Sequence, residues 1–222
     1  MAQKIIYFVR HGETESNIHN IRQGPLGHLT EKGRAQALAT AMQFPHKKGR
    51  PQVIISSPYE RTQETAEIIA KELGMIVEYS DLLKERRNPT EVVGRSGSDP
   101  EVKKIMDRMD KSFHDDNLRY SDEENFEDLH QRAKKLLTFI KKRPEQRIVL
   151  VTHGIFLKMV FATMLKRAHL DSNEYNKLSF FNPIDNAGLS VCTYTHKWWW
   201  FGYEEWKLLM WNNLTEDKED EY

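Results

Sequence analysis

Two histidines follow predicted strands in the same local arrangement. The apolar run at residues 5–9 leads into Arg-His-Gly at 10–12, and the run at 148–151 leads into Thr-His-Gly at 152–154. Ligands of open α/β sheets bind beyond the carboxyl ends of the strands, so neighbouring strands would bring both imidazoles to one crevice. Each glycine precedes a predicted helix, whose free N–H groups favour an anion. We interpret the pair as one anion site; two unrelated polar loops are the alternative.

A third predicted strand ends in Ser-Ser-Pro at 56–58, and Arg61 lies in the helix that follows. Together with Arg10, this arginine would supply paired donors to the oxygens of a phosphoryl group, and an imidazole can attack phosphorus. Solvation at the surface is the other reading of Arg61. Glu85 follows a further predicted strand and is a candidate general acid, although a carboxylate at such a place is commonly an ordinary surface group.

Strand-like and helix-like segments alternate along most of the chain. Short apolar runs predict strands at 5–9, 53–55, 76–79 and 148–151. Apolar spacing and capping residues predict helices at 30–44, 57–73, 126–140 and 154–167, with Ser57 as an N-cap, Pro58 in the first turn and Gly74 as a stop. This alternation predicts an α/β fold: a doubly wound, mostly parallel sheet with helices on both faces.

Three segments depart from the alternation. Residues 86–123 are highly charged and are interpreted as a lid-like insertion that covers the active site. Residues 189–195 and 205–211 predict a C-terminal hairpin around an aromatic turn at 198–202. Residues 212–222 hold five acidic residues and one lysine and are predicted to form a disordered acidic tail. We therefore predict one domain over residues 1–211.

Composition excludes several classes of protein. The 222 residues contain 33 Lys and Arg against 33 Asp and Glu, and this neutral balance argues against a nucleic-acid partner. The single cysteine, Cys192, excludes an intramolecular disulfide framework and a cysteine-rich metal site. No apolar run is long enough to cross a bilayer, and no secretory leader precedes the first predicted strand. These features predict a cytoplasmic protein with no membrane partner and no metal.

The motifs together resemble the histidine phosphatase superfamily, in its phosphoglycerate mutase-like branch. The opening Arg-His-Gly-Glu-Thr motif with Asn17 is similar to the family signature, and the other matching segments follow in the family's order over residues 4–165. These segments are 23–24, 29–30, 33–35, 56–58 with 61, 62 and 65, 83 with 85–86, and 152–154. Residues 186–188 are similar but less diagnostic.

The resemblance implies a role for each candidate residue. His11 would accept the phosphoryl group, with its tautomer set by a backbone carbonyl near Gly12, and Glu85 would donate a proton to the leaving oxygen. His153, in its protonated form, and the two arginines would bind the developing charge. Catalytic roles are implied for Arg10, His11, Arg61, Glu85 and His153, and phosphate or substrate contacts for Arg10, Asn17, Gln23, Gly24, Arg61, His153 and Gly154.

The segment after Glu85 bears on the substrate. Mutases of the resembled family continue with a Tyr-Gly-containing stretch, whereas this chain reads Arg86-Arg87-Asn88-Pro89. We therefore predict a phosphomonoesterase that acts on a small phosphorylated metabolite without a cofactor, as a monomer or homodimer. A phosphoglycerate mutase primed by 2,3-bisphosphoglycerate is the alternative, and an inactive phosphate-binding module a further one. Arg86, Arg87 and Arg95 are read either as a basic pocket rim or as a solvated face.

Overall fold

A six-stranded mixed sheet forms the centre of the molecule. The computed structural model describes residues 2–113, 119–166, 169–181, 183–197 and 203–214. Its strands are β1 (Ala2–Arg10), β2 (Val53–Ser56), β3 (Val77–Tyr79), β4 (Arg147–Thr152), β5 (Leu189–Lys197) and β6 (Tyr203–Asn213). They lie in the order β3-β2-β4-β1-β5-β6. The first four strands are parallel, β5 is antiparallel to β1, and β6 is antiparallel to β5. The predicted α/β class and the mostly parallel sheet are confirmed.

Helices cover both faces of this sheet. The seven α-helices of the described chain are α1 (Glu15–Ile18), α2 (Glu31–Met42), α3 (Glu60–Leu73), α4 (Pro100–Ser112), α5 (Phe126–Lys142), α6 (Gly154–Lys166) and α7 (Ser172–Phe181). The predicted helices correspond to α2, α3, α5 and α6. Gly74 ends α3 in the left-handed conformation, as its position predicted.

Alternating strand residues divide the core into two layers. Phe8 and Leu150 point towards α5 and α6, where Leu136 and Phe156 are fully buried. Val9 and Val151 point to the opposite face and pack with apolar residues of α2 and α3. Because successive side chains of a strand face opposite sides, a central strand buried on both faces must be apolar throughout. This requirement accounts for the continuous apolar runs in β1 and β4.

The two strands that carry the histidines are neighbours in the sheet. β1 and β4 are parallel, with Arg10 opposite Thr152, and the His11 N–H donates to the Thr152 carbonyl at 3.0 Å. The loops that follow both strands therefore leave the sheet at the same edge. This pairing fulfils the condition on which the predicted histidine crevice depended.

The third helix begins later than the capping pattern predicted. Tyr59 is its N-cap residue, without a side-chain cap, and Glu60 is its first residue. Ser57 instead accepts a hydrogen bond from the Tyr59 N–H at 3.3 Å, across a short turn at the end of β2. A serine two residues before an N–H group serves such a turn as readily as a helix cap, so the predicted N-cap at Ser57 was wrong.

The C-terminal strands form the predicted hairpin, and its second strand runs further than expected. β6 ends at Asn213, so Asn212 and Asn213 belong to the sheet and not to the predicted tail. The Asn212 side chain also donates to Asp185 at 2.7 Å. The predicted aromatic turn at 198–202 and residues 215–222 of the acidic tail lie outside the described residues.

Residues 86–113 run over the loop that follows α1. Ile21 forms an isolated bridge with Ser96, and the Arg22 backbone exchanges hydrogen bonds with Gly94 and Arg95. This segment contains α4 and a 3₁₀ turn at Thr90–Val92. Its contacts hold residues 20–24 in place beside the carboxyl ends of the central strands.

Candidate active site

A cavity of about 320 Å³ opens at the carboxyl ends of β1 and β4. It lies where the two histidine loops leave the sheet, at the place that open α/β folds use for ligands. The residues that line it are mostly polar or charged. They are Arg10, His11, Ser16, Asn17, Asn20, Ile21, Arg22, Gln23, Arg61, Glu85, Asn88, Gly154, Ile155, Lys158 and Ile184.

His11 is held as a neutral imidazole with one nitrogen available. Its Nδ1 lies 2.8 Å from the Gly12 carbonyl, which can only accept, so the proton is on Nδ1 and Nε2 keeps its lone pair. The side chain is buried, and burial together with the nearby Arg61 and Arg10 lowers the pKa of His11 well below 6.5. The backbone partner expected near Gly12 is present, and the arrangement suits a nucleophile.

Gly12 and Gly33 allow the main chain of the loop after β1 to pack directly against the main chain of α2. A Cβ atom on Gly12 would lie 2.4 Å from the Gly33 carbonyl oxygen, and one on Gly33 would lie 2.1 Å from the Glu13 carbonyl oxygen. Neither distance is possible without moving the main chain. The Gly12 N–H also donates to Thr65 Oγ1 at 3.1 Å, which ties the loop to α3.

His153 lies beside His11, with 5.3 Å between the ring centroids. Its Nε2 is 2.9 Å from Ser57 Oγ, whereas Nδ1 is buried with no partner among the described residues. Burial, followed by the charge of Arg61, lowers the pKa of His153 well below 6.5. A buried imidazole beside an arginine favours the neutral form in the protein without ligand, and protonation of His153 against a bound phosphoryl group stays a prediction.

Arg10 and Arg61 are buried beside the two imidazoles. Arg61 is 1% exposed and donates to the Gly24 carbonyl at 2.7 Å, while Arg10 donates to the Ile184 carbonyl. The Nε atom of each arginine is buried without a partner in the described chain. Desolvation lowers the pKa of both guanidinium groups, to about 10 for Arg61, so both remain charged at neutral pH. Buried charges of this kind favour an anionic ligand.

Glu85 lies at the N-terminus of α6. Its carboxylate accepts hydrogen bonds from the N–H groups of Arg86, Ile155 and Phe156, at 2.8, 3.2 and 2.9 Å. Arg132 fixes the loop that carries it, donating to the Lys84 carbonyl at 2.6 Å and to the Glu85 carbonyl at 3.3 Å. The carboxyl group is thereby directed into the cavity.

The other predicted contacts are placed in different ways. The Asn17 amide oxygen accepts from the Thr14 N–H at 3.1 Å, which leaves its NH₂ group to face a ligand. Gln23 lines the cavity, and its amide oxygen is buried without a partner in the described chain. Gly154 also lines the cavity. Gly24 contributes through its carbonyl to Arg61 and does not line the cavity.

Arg86, Arg87 and Arg95 do not form the basic pocket rim that the sequence analysis considered. Arg86 is buried over the Phe113 ring at 4.2 Å. Arg87 donates to the Asp122 carbonyl, and Arg95 bonds Asp99 and Glu101. None of the three arginines lines the cavity. They bind acidic and carbonyl groups within the insertion, so this interpretation of the rim was wrong.

Three residues near the site were given no role in the sequence analysis. Arg22 and Lys158 add two cations to the lining. Asn186 donates from its amide to the carbonyls of His11 and Gly12, both at 3.1 Å, and so holds the nucleophile's loop. Lys158 had a usable signal, because it is the one charged residue between the ends of the otherwise apolar helix α6. Asn186 belongs to the segment 186–188 that resembled the family, although no role was assigned to it. Arg22 lies in a loop without periodicity and gave no signal.

The described residues contain neither a membrane-spanning helix nor a metal-binding cluster. No helix among them is long and apolar enough to cross a membrane. No group of three or more His, Cys, Asp or Glu side chains among them is arranged to hold a metal ion.

The fold and the site define an α/β protein with two neutral histidines and two buried arginines at the carboxyl ends of parallel strands. The sequence description of the histidine phosphatase superfamily (branch 1) matches residues 6–213. The chain therefore belongs to the histidine phosphatase superfamily, and the predicted resemblance is confirmed.

Individual relatives are named for different activities. The chain is 32% identical over 167 residues to the "probable phosphoglycerate mutase GpmB" of Salmonella arizonae, covering 72% of this chain and 74% of that protein. A mycobacterial glucosyl-3-phosphoglycerate phosphatase has a similar structure, with a TM-score of 0.72, 23% identity, and coverage of 94% and 98%. A phosphoserine phosphatase from Entamoeba histolytica gives 0.71 and 25%, over 94% and 96%. The family comprises phosphatases and mutases.

Proposed function

We propose that this protein is a phosphomonoesterase that hydrolyses a small phosphorylated metabolite through a phosphohistidine at His11. The observation that carries the proposal is the set of unpartnered polar atoms around this imidazole. Arg10 Nε, Arg61 Nε and His153 Nδ1 are all buried without partners in the described chain. Unpaired buried polar groups are costly, and the oxygens of a phosphoryl group would satisfy all three.

In the first half-reaction, His11 Nε2 attacks phosphorus and the bond from phosphorus to the ester oxygen breaks. Glu85 in its protonated form gives its proton to the leaving oxygen, and the alcohol departs. The transition state spreads negative charge over the equatorial oxygens, where Arg10 and Arg61 donate. Dianionic substrate beside His153 favours uptake of a proton there, since the nearby negative charge opposes the effects that keep this imidazole neutral.

In the second half-reaction, water attacks the phosphohistidine. Glu85, now a carboxylate, takes a proton from the water, the bond between nitrogen and phosphorus breaks, and inorganic phosphate is released. His11 returns to its starting form with its proton on Nδ1, because the Gly12 carbonyl accepts from that atom throughout. No metal or cofactor takes part in the proposed cycle.

The test is trapping of the phosphoenzyme together with phosphate release. Wild-type protein should release inorganic phosphate from alkyl phosphates and carry acid-labile, alkali-stable phosphate on His11 after rapid quenching. His11→Ala should show neither signal. His28→Ala is the matched control, since His28 is an exposed loop histidine paired with Glu60 and Glu64, and it should keep both. Phosphate release by His11→Ala at the wild-type rate would refute the proposal.

The similarity to a probable phosphoglycerate mutase favours the mutase alternative. Supplying 3-phosphoglycerate with a catalytic amount of 2,3-bisphosphoglycerate distinguishes the two activities. A phosphatase releases phosphate faster than it forms the 2-phospho isomer, and a mutase shows the reverse order. Binding of phosphate without turnover of any ester would instead support the inactive binding module. A cytoplasmic location and a monomer or homodimer remain part of the proposal.

A further inference from the structure

The cavity contains more positive charge than a phosphoryl group needs. Four cations line it, at Arg10, Arg22, Arg61 and Lys158, against the single carboxylate of Glu85. With both histidines neutral, this leaves three net positive charges. A phosphate monoester brings about two negative charges at neutral pH. One positive charge therefore remains for another part of the substrate.

These four cations also differ from many others in the protein. Arginines 34, 86, 95, 119, 132 and 143 all have a carboxylate within 4.0 Å. No carboxylate of the described chain lies within that distance of any of the four cavity cations. Glu85 bonds backbone N–H groups of α6 and not a cation. The lining is left with unpaired charge that an acidic ligand would balance.

Arg22 is held in the cavity wall by its backbone. Its N–H donates to the Arg95 carbonyl at 2.9 Å, and its carbonyl accepts from the Gly94 N–H at 2.8 Å. Its side-chain Nε is buried without a partner among the described residues. The insertion therefore fixes the backbone from which this side chain extends, and the guanidinium retains a donor for a ligand.

Lys158 approaches the cavity from helix α6, one turn after Gly154. Its half-buried ammonium donates to the Ser179 carbonyl at 2.8 Å, and an ammonium has two further N–H donors. Desolvation and the charge of Arg10 lower the pKa of Lys158, so a nearby anion would be favourable. Arg22 and Lys158 are separate from the residues that complete the phosphoryl chemistry.

We propose that Arg22 and Lys158 form a second anion subsite, which binds a carboxylate or a second phosphate on the leaving group of the substrate. This inference rests on the proposed function and deepens it. The substrate class is a small phosphate monoester whose alcohol carries a further acidic group. The cavity volume lies near the lower end for small-ligand sites, which suits a substrate with a few carbons between the two acids.

The first experiment measures binding and does not depend on turnover. Calorimetry on the whole protein compares 2-carboxyethylphosphonate, propane-1,3-bisphosphonate and propylphosphonate, which share the phosphonate and differ at the other end. We expect at least one of the two diacids to bind at least about tenfold more tightly than propylphosphonate. Tenfold is the smallest gain in affinity expected from a hydrogen bond between charged groups. The order of the two diacids distinguishes carboxylate from second phosphate. Equal affinity for all three ligands overturns the inference.

Variants then assign the preference to the two residues. Arg22→Gln and Lys158→Gln should each bring the affinity ratio of diacid to monoacid close to one, while Lys158→Arg should retain it. Lys166→Gln is the matched control: Lys166 also links α6 to α7, through Glu174, but lies outside the cavity. Loss of the preference in Lys166→Gln as well would show that helix packing and not charge is responsible. Retained preference in both cavity variants would refute the subsite.

The second experiment measures turnover with two matched pairs: phosphoglycolate with ethyl phosphate, and 3-phosphoglycerate with glycerol 3-phosphate. We expect kcat/KM to favour the acidic member of at least one pair by about tenfold. Equal hydrolysis within both pairs overturns the subsite and leaves the proposed phosphatase intact. Absence of any hydrolysis and of phosphohistidine overturns the proposed function, and the binding experiment then still decides whether the second anion is recognised.

Discussion

Replacement of Glu85 by glutamine separates the two proton transfers of the proposed cycle. The substitution is nearly isosteric, and the local contacts tolerate it. A glutamine oxygen at the position of Oε1 keeps the N–H donors of Arg86 and Phe156, at 2.8 and 2.9 Å. Only the longer contact to the Ile155 N–H, at 3.2 Å, would face an NH₂ group. The variant should therefore fold normally, with the loss of one long hydrogen bond and of the transferable proton.

The size of the effect depends on the leaving group. General acid catalysis contributes about 10²–10⁴-fold where the departing oxygen needs a proton. An alkyl phosphate releases an alkoxide unless it is protonated, so kcat/KM for such a substrate should fall by about that factor. 4-Nitrophenolate is a stable anion at neutral pH, and its kcat/KM should fall by less than about tenfold. The contrast between the two esters is the signature of a lost acid.

The second half-reaction gives an independent signal. Because Glu85 also takes the proton from water, hydrolysis of the phosphohistidine should be slow in Glu85→Gln. Rapid mixing with 4-nitrophenyl phosphate should then give a burst approaching one 4-nitrophenolate per site, followed by slow turnover. Quenched samples should contain phosphate bound to His11 in the same amount.

Two results would refute this reasoning. Equal losses of kcat/KM for the alkyl and the aryl ester would mean that Glu85 does not protonate the leaving oxygen. Absence of a burst, with wild-type turnover of the aryl ester, would mean that it does not activate water. Glu91→Gln removes an exposed carboxylate from the insertion and should alter neither measurement. The thermal midpoint of each variant verifies that it is folded.

Two further predictions follow from the electrostatics of the site. The pKa of His11 and of His153 is lowered in the folded protein, so the unfolded chain binds protons more readily and the free energy of unfolding should fall as the pH drops below about 6.5. The loss should reach up to about 1.4 kcal/mol per pH unit for each histidine, and urea unfolding between pH 6.5 and about 5.5 measures it. The double variant His11→Asn, His153→Asn should lack this pH dependence. An unchanged dependence on pH in the double variant would contradict the assignment to these histidines. Arg132→Met should cost about 2 kcal/mol of stability, because Glu124 loses its charged donor and keeps only the Arg87 N–H. It should also lower kcat/KM for alkyl esters more than for aryl esters, because the Lys84 and Glu85 carbonyls lose the donor that fixes their loop. A loss of stability with unchanged leaving-group dependence would make Arg132 purely structural.

The sequence was sufficient to predict the central sheet and the histidine pair. The apolar runs of β1 and β4 are long enough to identify strands buried on both faces, and the histidines follow them directly. Proximity of two strand ends in a parallel sheet then depends only on strand order. Arg61 was predictable for the same reason, since it follows the end of β2.

Other parts of the site depend on contacts that local patterns do not encode. Arg22 reaches the cavity because residues of the insertion bond its backbone from both sides. Asn186 reaches the His11 loop from a turn in which Ala187 has a positive φ of 57°, a conformation that its residue type does not indicate. Arg86 appeared to be a rim residue, but the approach of Phe113 buries it. Each outcome depends on which distant segments meet.

The partner of His11 Nδ1 is a main-chain carbonyl, and this has a consequence for how the site can change during evolution. In sites where a carboxylate side chain orients the imidazole, one substitution removes the orienting group. Here no side-chain substitution at a partner can do so, since every residue type at position 12 presents the same carbonyl. The substitutions that would disturb the orientation of His11 are those at Gly12 and Gly33, because their close contact excludes every larger residue unless the backbone shifts. Side chains that line the cavity can therefore be substituted during evolution without changing the tautomer of His11, because the fold itself supplies the carbonyl that fixes it.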